Sequence, residues 1–230
     1  MNLEGKCAII TGASKGIGLS SSKLLLELGV KVAGWSRSVP DIAHPNFQHI
    51  KVDVGNEDSV TDAFKQTVEV FGDSIAILVN NAGVGYEGAF ETLSSQKWHT
   101  MFQTNVDSIF YCSRAVIPGM KALGEAHIIN ISSIAGTNGI PGMAGYCATK
   151  YAVRGLSQSM FKELRDFGIK VTCIYPGSTK TNFFDEFNSV DAHDNMMRPE
   201  DIATTISQVL QSSANYHHVD IEVRPLKPKG

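Results

Sequence analysis

A chain of 230 residues with net charge −3, 43% hydrophobic and 19% charged residues, has the length of one domain and enough apolar material for a full core. The mildly acidic balance gives no reason to expect nucleic acid as a partner, and no apolar run approaches the length that crosses a bilayer, so no membrane partner is expected. No basic stretch followed by a hydrophobic segment opens the chain, so a cytoplasmic location is expected. Cys7, Cys112, Cys147 and Cys173 are scattered, and the histidines form no ligand cluster, so no metal is expected; His217 and His218 fall in a loop and read as solvated.

Strand-like and helical runs alternate along the chain. Residues 7–10 form a short apolar run broken by Thr11 and Gly12, and a helical stretch runs from Ile17 to Leu28, stopped by Gly29. A second strand ends near Ser36. Phe47–Val54 reads as a strand, Glu57–Phe71 as an amphipathic helix with Val60, Phe64 and Val68 on one face, and Ile75–Asn80 as a strand. One long helical stretch is expected from about Ser95 to Lys121. His127–Ser132 is a strand, Gly142–Phe167 mostly helix, and Lys170–Tyr175 a strand. Pro199–Ser212 is a helix with acidic residues in its first turn, and Asp220–Val223 a closing strand. This order predicts an α/β fold in a single domain, with a parallel sheet covered by helices on both faces. Ligands then bind at the carboxyl ends of the strands. Gly12, Arg37, Asp53, Asn81, Ser133 and Pro176 all follow strand ends.

The first of these ends is a buried strand, a glycine-rich turn (Gly12, Gly16, Gly18) and a helix. Glycine lets a diphosphate approach the backbone, and the helix N-terminus offers free N–H groups and partial positive charge. The spacing is Gly-x-x-x-Gly-x-Gly, and no Gly-Lys-Ser/Thr follows, which excludes a P-loop. The second strand ends on Ser36 and Arg37 with no carboxylate to take ribose hydroxyls. The Arg37 fork suits a 2′-phosphate and Lys15 adds a second positive charge, so the expected cofactor is NADP(H) rather than NAD(H); a solvated loop arginine is the alternative.

Tyr146 and Lys150 stand four residues apart in a helical stretch, one turn apart on one face. A free tyrosine titrates near about 10, and bringing it to neutrality takes roughly 4 kcal/mol. A unit charge about 4 Å away, at an effective dielectric of about 20, supplies roughly that much. A lysine can thus tune a tyrosine as a general acid or base. Alone, the pair could equally be a surface lysine beside a half-buried tyrosine.

Taken together, TGASKGIG at 11–18, Asp53-Val54, NNAG at 80–83, Asn105, the serines ending at Ser133, YCATK at 146–150 and PGSTKT at 176–181 resemble the short-chain dehydrogenase/reductase family, in family order from residue 6 to about 181. The resemblance implies a Rossmann-type doubly wound parallel sheet and an NADP(H)-dependent oxidoreductase that moves a hydride between the nicotinamide and a carbonyl or secondary alcohol. It implies that Gly12, Ser14, Gly16, Ile17 and Gly18 wrap the diphosphate, Asp53 and Val54 hold the adenine, and Asn81, Ala82 and Gly83 flank the adenosine-side ribose. Pro176, Gly177, Thr179 and Thr181 would seat the nicotinamide. The implied active site is Asn105, Ser133, Tyr146 and Lys150. Tyr146 acts there as proton donor, Ser133 fixes the carbonyl oxygen, Lys150 lowers the tyrosine pKa and holds the ribose, and Asn105 supports a water linking Lys150 to solvent. For Asn105 a helix-kinking polar role is the alternative.

The tail, VDIEVRPLKPKG, departs from the family's common ending and looks more like the branch of small-carbonyl and hydroxy-acid dehydrogenases and sepiapterin reductase-like enzymes. That speaks against a 3-oxoacyl-thioester reductase, and against a tetramer paired through the usual C-terminal strands. Residues 182–197 lie where the family places a substrate lid. Phe183, Phe184, Phe187, Met196 and Met197 could line an apolar pocket or only pack the lid onto the body. The family implies a homodimer or homotetramer through the helical stretches 95–121 and 142–167, where Phe110, Tyr111, Met160 and Phe161 are either contacts or core. A dinucleotide-binding regulator without turnover is the alternative from another functional class.

Overall fold

A computed structural model describes residues 1–181, 183 and 193–227. Seven parallel strands form the sheet: β1 (Cys7–Thr11), β2 (Lys31–Ser36), β3 (Phe47–Lys51), β4 (Ile75–Asn80), β5 (Ala126–Ile131), β6 (Ile169–Pro176) and β7 (Asp220–Val223). Their order across the sheet is β3-β2-β1-β4-β5-β6-β7. All five residues of β1 and all six of β4 and of β5 are buried, which is why these segments read as continuous apolar runs rather than alternating ones. Thr11 closes β1 rather than breaking it, and β3 stops at Lys51, leaving Asp53 and Val54 beyond its end.

The helices are α1 (Gly16–Glu27), α2 (Glu57–Phe71), α3 (Ser95–Phe102), α4 (Ser108–Leu123), α5 (Ala144–Leu164) and α6 (Pro199–Leu210). Two apolar cores fill the space on the two faces of the sheet. On one, Val60 and Ala63 of α2, Cys112, Val116 and Met120 of α4 and Leu164 of α5 meet Ile9, Trp35, Leu78 and Ile128. On the other, Leu25 and Leu26 of α1 and Ile202, Ile206 and Val209 of α6 meet Ile10, Val32, Val79 and Ile129. Local chemistry fixes the ends. Asn56 accepts from Ser59 N–H at 2.8 Å to start α2, and Asp201 accepts from Arg198 N–H at 2.7 Å to start α6 behind Pro199.

The expected single helix over 95–121 is interrupted. Gln103–Asp107 form a π-helical turn between α3 and α4. Asn105 lies in it, and its side chain satisfies Val84 on both sides: Oδ1 accepts from Val84 N–H at 2.8 Å and Nδ2 donates to Val84 O at 2.8 Å. The extra residue in the turn aims this buried amide at the chain leaving β4. Among the described residues, no helix is long and apolar enough to cross a membrane.

Candidate active site

The sheet order reverses between β1 and β4, and the connections leaving their carboxyl ends diverge there. Thr11 ties the two ends together. Its Oγ1 accepts from the N–H groups of Asn81 and Ala82 at 2.9 and 3.0 Å, and Asn81 Nδ2 donates to Thr11 O at 2.9 Å. The glycine turn is thereby braced before α1 begins. Gly12 has φ 67° and Gly16 φ 54°, where a side chain would be strained. Gly18 is needed for another reason: a Cβ there would lie 2.3 Å from Gly12 O and 2.6 Å from Asn81 Nδ2. Only a bare backbone lets α1 start this close to the turn.

A cleft of about 620 Å³ runs from this turn across the strand ends. Of the predicted cofactor residues, Gly12, Ser14, Lys15, Gly16, Ile17, Arg37, Asp53, Val54, Asn81, Ala82, Gly83, Pro176, Gly177, Thr179 and Thr181 line it. Gly18 lies behind the turn, where it sets the packing. Lys15 and Arg37 are exposed at one end of the cleft, beside Ser36 and Ser38. Asp53 uses Oδ1 to accept from Gly55 N–H at 3.1 Å.

Ser133, Tyr146 and Lys150 line the same cleft further along. Ser133 leaves β5 in extended backbone and starts a short 3-10 turn, its hydroxyl accepting from Ala135 N–H at 3.1 Å. It also hydrogen-bonds the Tyr146 hydroxyl. The neighbouring Ser132 is buried and donates to Lys150 O at 3.0 Å, so it braces α5. A Cβ on Gly136 would lie 2.5 Å from that Ser132 hydroxyl and 2.7 Å from Lys150 O, which shows how closely the turn packs on the helix. Lys150 Nζ donates to Ile131 O at 2.9 Å and lies 5.6 Å from the centre of the Tyr146 ring.

The electrostatics correct one expectation. Tyr146 is 7% exposed and Lys150 4% exposed. Burial pushes the tyrosine hydroxyl above its ordinary value, with the Ser133 hydrogen bond pulling it partly back. Burial pushes the lysine down to about 8. The expected lowering of Tyr146 by Lys150 is absent: burial dominates the hydroxyl, and Ser133 rather than Lys150 is what pulls it down. Tyr146 therefore holds its proton at neutrality, which suits a donor. Lys150 stays mostly charged at neutrality and gives up its proton near pH 8.

Asn105 does not line the cleft. Besides Val84, its Nδ2 donates to Thr149 Oγ1 at 3.0 Å, and Thr149 Oγ1 donates to Tyr146 O at 2.8 Å. It is coupled to the helix that carries Tyr146 and Lys150, and each polar atom of its side chain already has a protein partner. Cys147 is buried, with Sγ 3.7 Å from Asn138 O, as a packing residue would be. Phe183 lines the cleft and packs against Tyr146 in a tilted arrangement with ring centres 5.2 Å apart. Met196 is buried and Met197 packs into the core beneath α1 and α6, so both hold the chain to the body. Phe184 and Phe187 lie outside the described residues. Sequence reasoning missed the wall formed by Val84, Tyr86, Ile140 and Met143. These residues come from irregular segments and the helix start, where no periodicity marks them.

His217 and His218 are not solvated. His217 is half-buried, donates from Nε2 to Val171 O at 2.9 Å and packs against His127 and Phe161. The Nδ1 atoms of His127, His217 and His218 are buried without a partner.

The short chain dehydrogenase family model matches residues 6–192, and the chain belongs to that family of oxidoreductases. It is 37% identical over 194 residues to the 3-oxoacyl-[acyl-carrier-protein] reductase of Vibrio cholerae, covering 82% of this chain and 79% of that one. It is 33% identical over 231 residues to an uncharacterized oxidoreductase of Staphylococcus haemolyticus, covering 97% and 99%. Among solved structures it resembles a 3-ketoacyl-(acyl-carrier-protein) reductase from Brucella melitensis complexed with NADH, at TM-score 0.89 and 26% identity over 96% of this chain and 97% of that one. An alcohol dehydrogenase from the archaeon Thermococcus sibiricus complexed with 5-hydroxy-NADP matches at TM-score 0.88 and 27% identity over 98% and 99%.

Proposed function

We propose that this protein is an NADP(H)-dependent oxidoreductase that interconverts a carbonyl compound and its secondary alcohol. The observation that carries the reading is a protonated, buried Tyr146 held by Ser133, in a cleft whose other end is the glycine turn with Lys15 and Arg37 beside it. The solved relatives bind NADH and 5-hydroxy-NADP. The residues present fit a dinucleotide: Gly12, Gly16 and Gly83 line the cleft with bare backbone, and the first turn of α1 opens onto it at Gly16 and Ile17. Ser14, Gly16, Ile17 and the start of α1 would hold the diphosphate, kept in shape by Gly18. Asp53, Val54 and Asn81 to Gly83 would flank the adenosine, and Pro176, Gly177, Thr179 and Thr181 the nicotinamide. Arg37, with Lys15, would take a 2′-phosphate.

When bound, the reduced nicotinamide supplies a hydride to the carbonyl carbon. Tyr146 gives its hydroxyl proton to the carbonyl oxygen as negative charge builds there. Ser133 hydrogen-bonds the same oxygen and fixes its position. Lys150, when charged, stabilises the tyrosinate left behind and can hand on a proton. Asn105 positions α5 through Thr149 rather than touching the reacting atoms. A second reading, reduction of a 3-oxoacyl thioester, is favoured by the Vibrio cholerae relative. We also infer a homodimer or homotetramer, since Phe110 stays exposed beside the half-buried Tyr111.

The test is oxidation of NADPH and NADH against a panel of ketones, aldehydes, diketones and a 3-oxoacyl thioester. Turnover with NADPH and a simple carbonyl is the expected result. Tight NADPH binding with no turnover on any member would favour a dinucleotide-binding regulator.

A further inference from the structure

The reading of the cleft as a carbonyl reductase leaves open which carbonyls enter, and the walls of its far end narrow the answer. Beyond the Ser133 and Tyr146 hydroxyls the cleft is lined by Val84, Tyr86, Ile134, Ile140, Met143 and Phe183. These are apolar or aromatic, and all but Ile134 join Met101, Ala135, Tyr146 and Cys147 in one cluster of contacts. The Phe183 ring packs against the Tyr146 ring, tilted with centres 5.2 Å apart, so an aromatic surface begins beside the proton donor itself.

Among the described residues, no cation lines this end. Lys15 and Arg37 line the cleft at the glycine turn, and Lys150 Nζ is held by Ile131 O at 2.9 Å. Lys97 is exposed, does not line the cleft, and stands 5.3 Å over the Tyr86 ring. The start of α5 does not stand open to an anion at Gly145, where Met101, Leu93 and Trp98 lie 2.4 to 3.4 Å from the position of a Cβ. A carboxylate next to the reacting carbonyl would lose its water here without gaining a partner, which is costly.

We propose that the substrate is a neutral ketone or aldehyde carrying a bulky apolar flank of aryl size, and that carbonyl compounds with a carboxylate beside the carbonyl are excluded. This rests on the reductase reading, and the experiment separates the two. Methyl benzoylformate and benzoylformate share one aryl ketone and differ in ester against carboxylate. With NADPH, kcat/KM for the ester is expected to exceed that for the carboxylate by about 100-fold or more. Because the two differ in intrinsic reactivity, Ile140→Arg provides the control, since that difference cancels between the variant and the parent protein. Ile140 is half-exposed, so a long cationic side chain can be accommodated, and the variant is expected to narrow the preference about tenfold. Calorimetric titration of methyl mandelate and mandelate into the protein gives the same preference without turnover. Should Ile140→Arg unfold, shown by loss of its circular dichroism melt, the titration with the parent protein decides. Benzoylformate reduced as fast as its ester, together with mandelate bound as tightly as its ester, overturns the substrate class and leaves the reductase reading standing. No NADPH oxidation with any carbonyl overturns both.

Discussion

The two ends of the parallel sheet bury ionisable bases in contrasting ways. At the carboxyl ends, Lys150 lies on a cleft with its ammonium held by one carbonyl, and burial lowers it to about 8. At the opposite end, His127 enters β5 fully buried, and burial lowers it well below 6.5. Thr172 Oγ1 donates to His218 O at 2.6 Å, so it accepts from His127 Nε2–H at 2.8 Å, leaving His127 Nδ1 as an orphan acceptor. Lys170 closes the loop over this end by donating to Ser213 O and Tyr216 O at 2.6 and 2.7 Å. Desolvation depresses both bases, but only Lys150 has open volume beside it for a ligand. A shifted pKa marks a functional site when it coincides with a cleft, and marks packing when it does not.

The comparison can be broken first at the carboxyl end. Gly18→Ala is expected to cost several kcal/mol, or to abolish NADPH binding, because the added methyl meets backbone at 2.3 Å. Thermal melting and fluorescence titration would read it, and a variant with parental stability and affinity would remove the close-packing account. Arg37→Ala should lower the ratio of NADPH to NADH activity about tenfold to hundredfold, the worth of a charged hydrogen bond. An unchanged ratio would return Arg37 to a solvated loop residue. The lysine sharpens the comparison. Carbonyl reduction needs Tyr146 protonated and gains from Lys150 charged, so kcat/KM should fall above pH about 8, by up to tenfold per unit. A profile flat to about pH 10 would contradict the assignment.

The smallest effect belongs to the opposite end. The folded pKa of His127 lies below its unfolded value, so the unfolded chain binds more protons as pH falls. The stability it contributes is full above pH 6.5 and is lost as pH drops toward the folded pKa, at up to about 1.4 kcal/mol per unit. His217, depressed in the same direction by burial, adds to this. Lys170, the N-terminal amine, His217 and His218 face His127 and oppose its charging too. His127→Gln, which keeps a donor for Thr172, should flatten the acid slope of the melting temperature. An equally steep slope in the variant would place the acid sensitivity elsewhere.

The succession of strands and helices along the chain and the glycine turn were legible because buried parallel strands read as apolar runs and because a turn of Gly12, Gly16 and Gly18 has few other uses. The Tyr146–Lys150 pair was legible as a spacing. Its titration was not, since helical spacing gives proximity and burial comes from the fold. At Asn105 the sequence offers a helix-kinking polar residue only as an alternative, because apolar residues continue on both sides of it and the extra residue is dictated by Val84, which lies 21 positions away. His217 reads as a solvated loop residue for a similar reason: what covers it is His127 and Phe161, brought there by β5 and α5.

The claim on which the functional account turns is that the buried hydroxyl of Tyr146 gives up the proton. Single-turnover oxidation of NADPH by Tyr146→Phe, with NADPH binding measured on the same sample, tests it most directly. The account predicts parental NADPH affinity with hydride transfer slowed about a thousandfold or more. Transfer within tenfold of the parent rate would contradict it.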